Sequence, residues 1–217
     1  MTILIATGMR KEAQIMAAPG VIVVAGGGDG ARLAQALEAA LAGVRLIVSS
    51  GLAGALQPGL VAGDVVLDGP VPLVGALHRA LPHARIGAVI GSDMALGSIA
   101  AKAEAGRSGA LAVDMETHIA RAVAAHHGLP CLVARVISDA ADHALPPAAL
   151  VGMRADGGVA LGAVIGSLLR NPAQVPALMR TARDAGRAFG ALERLHHAFA
   201  GGRIGGLDLG QLALDMG

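Results

Sequence analysis

Residues 111–142, LAVDMETHIARAVAAHHGLPCLVARVISDAAD, set two acidic clusters at the two ends of one helix–strand unit. Asp114, Met115 and Glu116 open the helix, whose apolar face runs through Ile119, Ala122, Val123 and His126. Gly128 and Pro130 stop it, and the buried run CLVARVI follows as a strand that closes on Ser138 and Asp139. In open α/β sheets ligands bind outside the carboxyl ends of the strands, so both clusters are expected to reach one crevice. An acid that opens a helix and an acid in a loop also have ordinary structural uses, and capping is the preferred account of Asp114.

The rest of the chain alternates in the same way. ILIAT, VIVVAG, LIVSS, DVVL, ARIGAVIG and CLVARVIS read as strands, separated by helical stretches such as ARLAQALEAALA and THIARAVAAHH. After Pro147 only helices are expected, at residues 158–170 and 175–201, with Pro172 and Pro176 between them. This pattern predicts an α/β three-layer sandwich, with a central, mostly parallel, mixed sheet flanked by helices and a helical C-terminal segment. Residues 1–200 form one domain in this reading and 201–217 a tail. With 54% hydrophobic and 15% charged residues, the composition suits a sheet buried on both faces.

A net charge of +1 gives no reason to expect nucleic acid. The single cysteine, Cys131, lies in an apolar strand and reads as an inert core thiol of a reducing compartment. The start MTILIAT lacks a basic segment and a cleavage site, and no apolar run reaches the ~18 residues needed to span a bilayer. A cytoplasmic protein is expected, with contact against a membrane left open. His126–His127 and His196–His197 are adjacent on helices, which is the wrong spacing for a shared metal, so no metal site is expected.

VIVVAGGGDGA has the local form of a dinucleotide-binding turn, which keeps an oxidoreductase as a distant alternative. The next strand ends Val48, Ser49, Ser50, without the acid that would hold a ribose hydroxyl. The glycines are either a tight turn or backbone donors for an anion.

DMETHIA followed by VARVISDAAD resembles the signature of the nucleoside phosphorylase and methylthioadenosine/S-adenosylhomocysteine nucleosidase family. IATGMRKE, AGGGDGARLAQAL, SSGLAGALQPGLVAGDVVL and GAVIGSDMAL resemble further family segments in the family's order. The resemblance covers residues 1 to about 142. It implies a nucleoside phosphorylase-like fold, no cofactor, and cleavage of the bond between a purine and ribose, with phosphate as the one co-substrate in question.

By that resemblance Asp139 delivers a proton to N7 of adenine, oriented by Ser138. For a carboxyl group to act as an acid at neutral pH, Asp139 is expected to lie in an apolar pocket. Glu116 holds the ribose hydroxyls and Met115 packs on the sugar, although a plain core methionine is an equal account. Met9, Gly51, Ala53, Ser92 and Met94 match further substrate-binding positions. Glu12 positions the attacking water in the hydrolases of the family. Arg10, Gly26 and Ser50 form the candidate phosphate or water site, with Lys11 and Ser49 nearby, and the choice of nucleophile stays open.

Two departures bear on the substrate. The position that usually stacks on the base is Ala95, between Met94 and Leu96, and the chain's two aromatics are Phe189 and Phe199. Methionine and aliphatic packing, or Phe189 from the C-terminal helices, must then hold the base. Residues 68–86 are also shorter than the family's excursion over the 5′ end of the nucleoside, and with the helices after Gly158 they are expected to frame an open apolar groove. The arrangement, including ALPPAAL, resembles the hopanoid-associated phosphorylases, which implies adenosylhopane as substrate and hopanoid biosynthesis as context. A methylthioadenosine/S-adenosylhomocysteine nucleosidase is the alternative. The partners expected are a small adenine nucleoside, lipid-linked in the first reading, a second copy of the chain in a homodimer or higher homo-oligomer, and a membrane surface.

Overall fold

The computed structural model describes residues 2–152 and 160–199, and two short paired strands beyond them, Arg203–Ile204 and Leu207–Asp208. Strands β1 (Thr2–Thr7), β2 (Val21–Ala25), β3 (Val44–Ala55), β4 (Val65–Asp68), β5 (Arg85–Ile86), β6 (Val89–Gly91), β7 (Ala112–Asp114) and β8 (Cys131–Asp139) form one sheet. The order is β2-β1-β3-β8-β4-β5, with β7 paired to the far end of β3 and β6 beside β7. The β3–β7 and β4–β8 pairs are antiparallel and the others parallel, so the sheet is mixed and mostly parallel, as the alternation predicts.

Helices α1 (Arg10–Met16), α2 (Gly30–Ala39), α3 (Val71–Ala80), α4 (Ile99–Gly106), α5 (Thr117–His126), α6 (Pro147–Gly152), α7 (Leu161–Arg170) and α8 (Val175–His197) connect and cover it. Along β1 the side chains alternate between two cores, which is why its sequence is apolar without a break. Leu4 and Ala6 meet Leu33 and Leu37 of α2 and Ala120 and Val123 of α5. Ile3 and Ile5 join the core that holds Met16 of α1, Leu73 and Leu77 of α3, and Leu192 and Leu195 of α8. The result is helix, sheet and helix in three layers.

Four sequence expectations need correction. Asp114 does not open a helix; it ends β7, and α5 begins at Thr117. The strand is only three residues long, too short for alternation to reveal it. The buried face of α5 is Thr117, Ala120, Val123 and Ala124, while Ala122 and His126 are exposed, because alanine on every side of this helix blurs its periodicity. β3 does not stop at Ser50 but runs on through the glycine-rich SSGLAGA, its pairing with β8 shifting between Ala53 and Gly54. Residues 68–86 are no bare connection, since they contain α3, and its buried Leu73, Val74 and Leu77 share one core with Ala188, Leu192 and Leu195 of α8. The inward faces of both helices close that core instead of framing a groove. Of the expected tail, only its two short strands are described, and residues 158–159 of the expected helix also lie outside the described residues.

Candidate active site

The far end of β3 is where the site assembles, because β8 pairs with one edge of it and β7 with the other. Gly54 lies opposite Asp139 of β8 and opposite Val113 of β7, the residue before Asp114. Glu12 arrives from the first turn of α1 just past β1, and Glu116 stands between β7 and α5. The acids therefore converge at the carboxyl ends of β1, β3 and β8, where the connectivity of an open α/β sheet leaves a crevice.

Glu12 is 2% exposed and bonded on both oxygens. Its Oε2 accepts the amides of Gly8 at 2.9 Å and Met9 at 2.8 Å, and its Oε1 accepts the amide of Leu52 at 2.8 Å. An acid in the first turn of a helix that reaches back to the preceding amides satisfies donors the helix leaves free. Two glycines make this crowding possible. A Cβ on Gly51, whose φ is +139°, would stand 2.8 Å from the Glu12 carboxyl carbon and 2.9 Å from an Arg135 nitrogen. A Cβ on Gly8 would stand 2.5 Å from Glu116 Oε1.

Arg135, to which the sequence reading gave no role, holds the acids together. Fully buried in the middle of β8, it places Nη1 3.1 Å from Glu116 Oε2 and Nη2 2.7 Å from Ser49 Oγ. Its Nε is 2.7 Å from Asp114 Oδ2, off the line of a hydrogen bond, so that contact is an ion pair. Asp114 also accepts the amides of Glu116 at 2.9 Å and Thr117 at 2.7 Å and the Thr117 hydroxyl, so it caps α5 from the end of β7. Ser49 completes the ring at 3.0 Å from Thr117 Oγ1. The available signal was a guanidinium in the middle of an otherwise apolar strand, which has to be paired.

One guanidinium cannot neutralise Asp114, Glu116 and Glu12 together. Burial pushes Glu116 up to about 7, with Arg135 opposing and the charges of Asp114 and Glu12 reinforcing the rise. Burial also raises Glu12, against Arg135 and its three amides. A carboxyl group raised in the folded state keeps its proton after the unfolded chain has lost its own, so this contribution to stability is complete below about 4.5 and is lost as pH rises to about 7. The span corresponds to about 3 kcal/mol. Glu116→Gln should therefore gain stability relative to the native chain as pH rises from 5 to 7.5, read as urea midpoints at both values. It should also narrow the preference for ribosides over 2′- and 3′-deoxyribosides, since it weakens the group assigned to those hydroxyls. Parallel pH dependences, or an unchanged preference, would contradict the respective half of this expectation.

Asp139 does not occupy the apolar pocket expected for it. Its Oδ2 is bonded by the ammonium of Lys102, a residue of α4 that is 1% exposed and that the sequence reading did not single out. Within AKAEAG a lysine looks like any solvated helix residue, and only packing distinguishes it. Ser138 Oγ lies 2.6 Å from Asp139 Oδ1 and 3.2 Å from the Ala53 carbonyl, so its one proton serves the nearer carboxylate. Asp139 is 8% exposed and fixed on both oxygens.

The residues of the candidate phosphate site are not brought together. Arg10 is exposed, lining an open cleft with Gln14 and Arg32. The amides of Gly26 and Gly27 are bonded to the carbonyls of Thr7 at 2.9 Å and Gly8 at 2.7 Å. Asp29 caps α2 through the Arg32 amide at 3.0 Å, which puts a carboxylate where an anion would bind. The same two facts remove the basis for the dinucleotide-binding alternative. Ser50 turns its hydroxyl to Met16 Sδ at 3.9 Å, inside the core. Lys11 lies 3.8 Å above the ring of Phe189, which packs with the α1–α8 core, and Phe199 is buried in that core.

Met115 and Glu116 line a narrow cleft with Gly26, Gly28, Leu33 and Ile119. Met9 is half-buried and Ala53 is buried beside Ser138. Ser92 donates its hydroxyl to the Met94 carbonyl at 2.7 Å, and Met94 is 73% exposed. His118 Nε2 is 3.1 Å from Asp93 Oδ1. Among the described residues no group of His, Cys, Asp and Glu is arranged to hold a metal. Burial pushes the Cys131 thiol up to about 11, which suits an inert thiol.

The fold matches solved nucleosidases along nearly its whole length. The chain is similar to the 5′-methylthioadenosine/S-adenosylhomocysteine nucleosidase of Helicobacter pylori, with a TM-score of 0.66 at 17% identity over 91% of this chain and 97% of that one. It is similar to the S-adenosylhomocysteine nucleosidase of Streptococcus pyogenes at a TM-score of 0.60 and 16% identity, over 88% and 96% of the two chains. The futalosine hydrolase of Helicobacter pylori matches at a TM-score of 0.58 and 18% identity, over 90% and 97%. Comparison with curated proteins gives no match. The class defined is a nucleoside phosphorylase-like α/β fold with its acids at the strand ends. Residues 73–165, which carry Lys102, Glu116, Arg135 and Asp139, match the phosphorylase superfamily.

Proposed function

We propose that the protein cleaves the N-glycosidic bond of an adenine nucleoside by hydrolysis, releasing adenine. The observation that carries this reading is the union of Glu12 and Glu116 around one buried guanidinium, with Asp139 at the end of the strand that supplies it. Cleavage passes through an oxocarbenium-like sugar and a base that leaves with negative charge. Glu116 faces the cationic sugar and its hydroxyls, Asp139 gives N7 a proton, and Glu12 orients water and takes its proton. Water is preferred over phosphate because Glu12 is buried and fixed while Arg10, Gly26 and Ser50 are dispersed.

The finer reading is a lipid-linked nucleoside, adenosylhopane, in hopanoid biosynthesis. The sequence resemblance to hopanoid-associated phosphorylases supports it, as do the exposed Ile165, Leu169, Val175 and Met179 of α7 and α8, an apolar surface suited to a lipid or a membrane. Among the described residues no helix is long and apolar enough to cross a membrane. A methylthioadenosine nucleosidase is favoured instead by the packing of α3 and α8 into one core.

The test is product analysis with adenosylhopane and methylthioadenosine, each with and without phosphate. Free adenine at the same rate in both buffers is the expected result. A phosphorylated sugar would overturn hydrolysis, equal kcat/KM for the two substrates would overturn the lipid reading, and no adenine from either would overturn the activity.

A further inference from the structure

Lys102 is a buried cation that none of the roles above uses. Its neighbours on α4, Ala103 and Glu104, are exposed, yet its own side chain is shut inside and its ammonium is fully bonded: to Asp139 Oδ2, to the Ala140 carbonyl at 2.8 Å and to the His143 carbonyl at 2.8 Å. An ammonium has three protons, so none remains for a substrate. Burying a charge in this way is costly, and a methionine of similar length would fill the space without that cost. What the ammonium adds is a fixed positive charge against one oxygen of Asp139, while Ser138 holds the other.

We propose that Lys102 is a positioning residue for base release, fixing the Asp139 carboxyl toward the purine and balancing the charge left there when N7 takes the proton. This rests on the hydrolytic reading above. In the step, Asp139 enters protonated, its proton passes to N7 and the bond from C1′ to N9 breaks with its electron pair moving into the purine, and Asp139 regains a proton from solvent once the base has left. Water then bonds to C1′ and its proton passes to Glu12. Lys102 keeps its three protons throughout. Negative charge appears on Asp139 as the bond breaks, and a preorganised cation facing that charge stabilises the transition state more than the ground state. The same three bonds tie α4 to the turn after β8, so the carboxyl cannot swing from its line as the base departs.

The test compares Lys102→Met, Asp139→Asn and the double variant on the adenine nucleoside that the native enzyme cleaves and on 4-nitrophenyl riboside, whose leaving group needs no proton. Lys102→Met is expected to lower kcat for the nucleoside about a hundredfold with KM changed by less than about threefold. The nitrophenyl riboside should be cleaved at close to the native rate, and the double variant should be no slower on the nucleoside than Asp139→Asn. If Lys102→Met does not fold, Lys102→Gln, which keeps a neutral donor, is read by the same criteria. Nucleoside turnover within about threefold of native, equal loss on both substrates, or a double variant that multiplies the two losses would each overturn the proposal. In those cases the native enzyme still releases adenine and the proposed function stands; a native enzyme that releases no base overturns both.

Discussion

An Asp139→Asn enzyme is expected to release base at least about a hundredfold more slowly than the native one, because an amide has no proton to give N7 at neutral pH. The geometry should be kept: Asn Oδ1 can take over the bond from Lys102, and Ser138 can turn its hydroxyl to the carbonyl of Ala53. The change does remove the carboxyl group that faces an ammonium that is 1% exposed, so some stability is lost as well, of order 1–3 kcal/mol. Activity and stability are therefore to be measured on the same preparation, by steady-state adenine release and by urea unfolding. A folded variant with kcat within about threefold of native would remove Asp139 from the chemistry.

Arg135→Met is expected to have the largest effect on the fold. Among the described residues the guanidinium is the only cation shown against Asp114 and Glu116, and its charge also acts on Glu12. Removing one partner of a buried pair costs about 3–5 kcal/mol, because the remaining charge stays without compensation. Here several acids lose the same partner, and the loss is comparable to the whole stability of many domains. The carboxyl groups can answer by holding protons, so the variant should be better folded at pH 5 than at pH 8. Unfolding curves at the two pH values read this directly. A loss below about 1 kcal/mol at pH 8 would mean that the acids do not depend on Arg135.

The sheet, its parallel character and the two outer layers were legible because the strands are apolar on both faces and helical stretches alternate with them. Glu116 and Asp139 were legible because each sits at an element boundary within a spaced pattern. What was hidden falls under other physics. Arg135 and Lys102 act through burial, and a lysine or arginine letter carries no sign of burial. The glycines at 51 and 54 look like a turn, and only the neighbouring acids explain why an extended strand needs them. The candidate anion set failed for a related reason, since sequence cannot tell whether a backbone amide is free or already bonded to a carbonyl.

The superfamily match spans residues 73–165, while Glu12, Gly51 and the glycine turn lie before it. Across the joint between β3 and β8, one stretch of chain therefore carries the groups proposed to act on the departing base and the sugar, and another the acid proposed to direct what attacks the sugar. On the proposed function, the choice between water and phosphate would then rest on the first fifty or so residues, apart from the groups assigned to the purine.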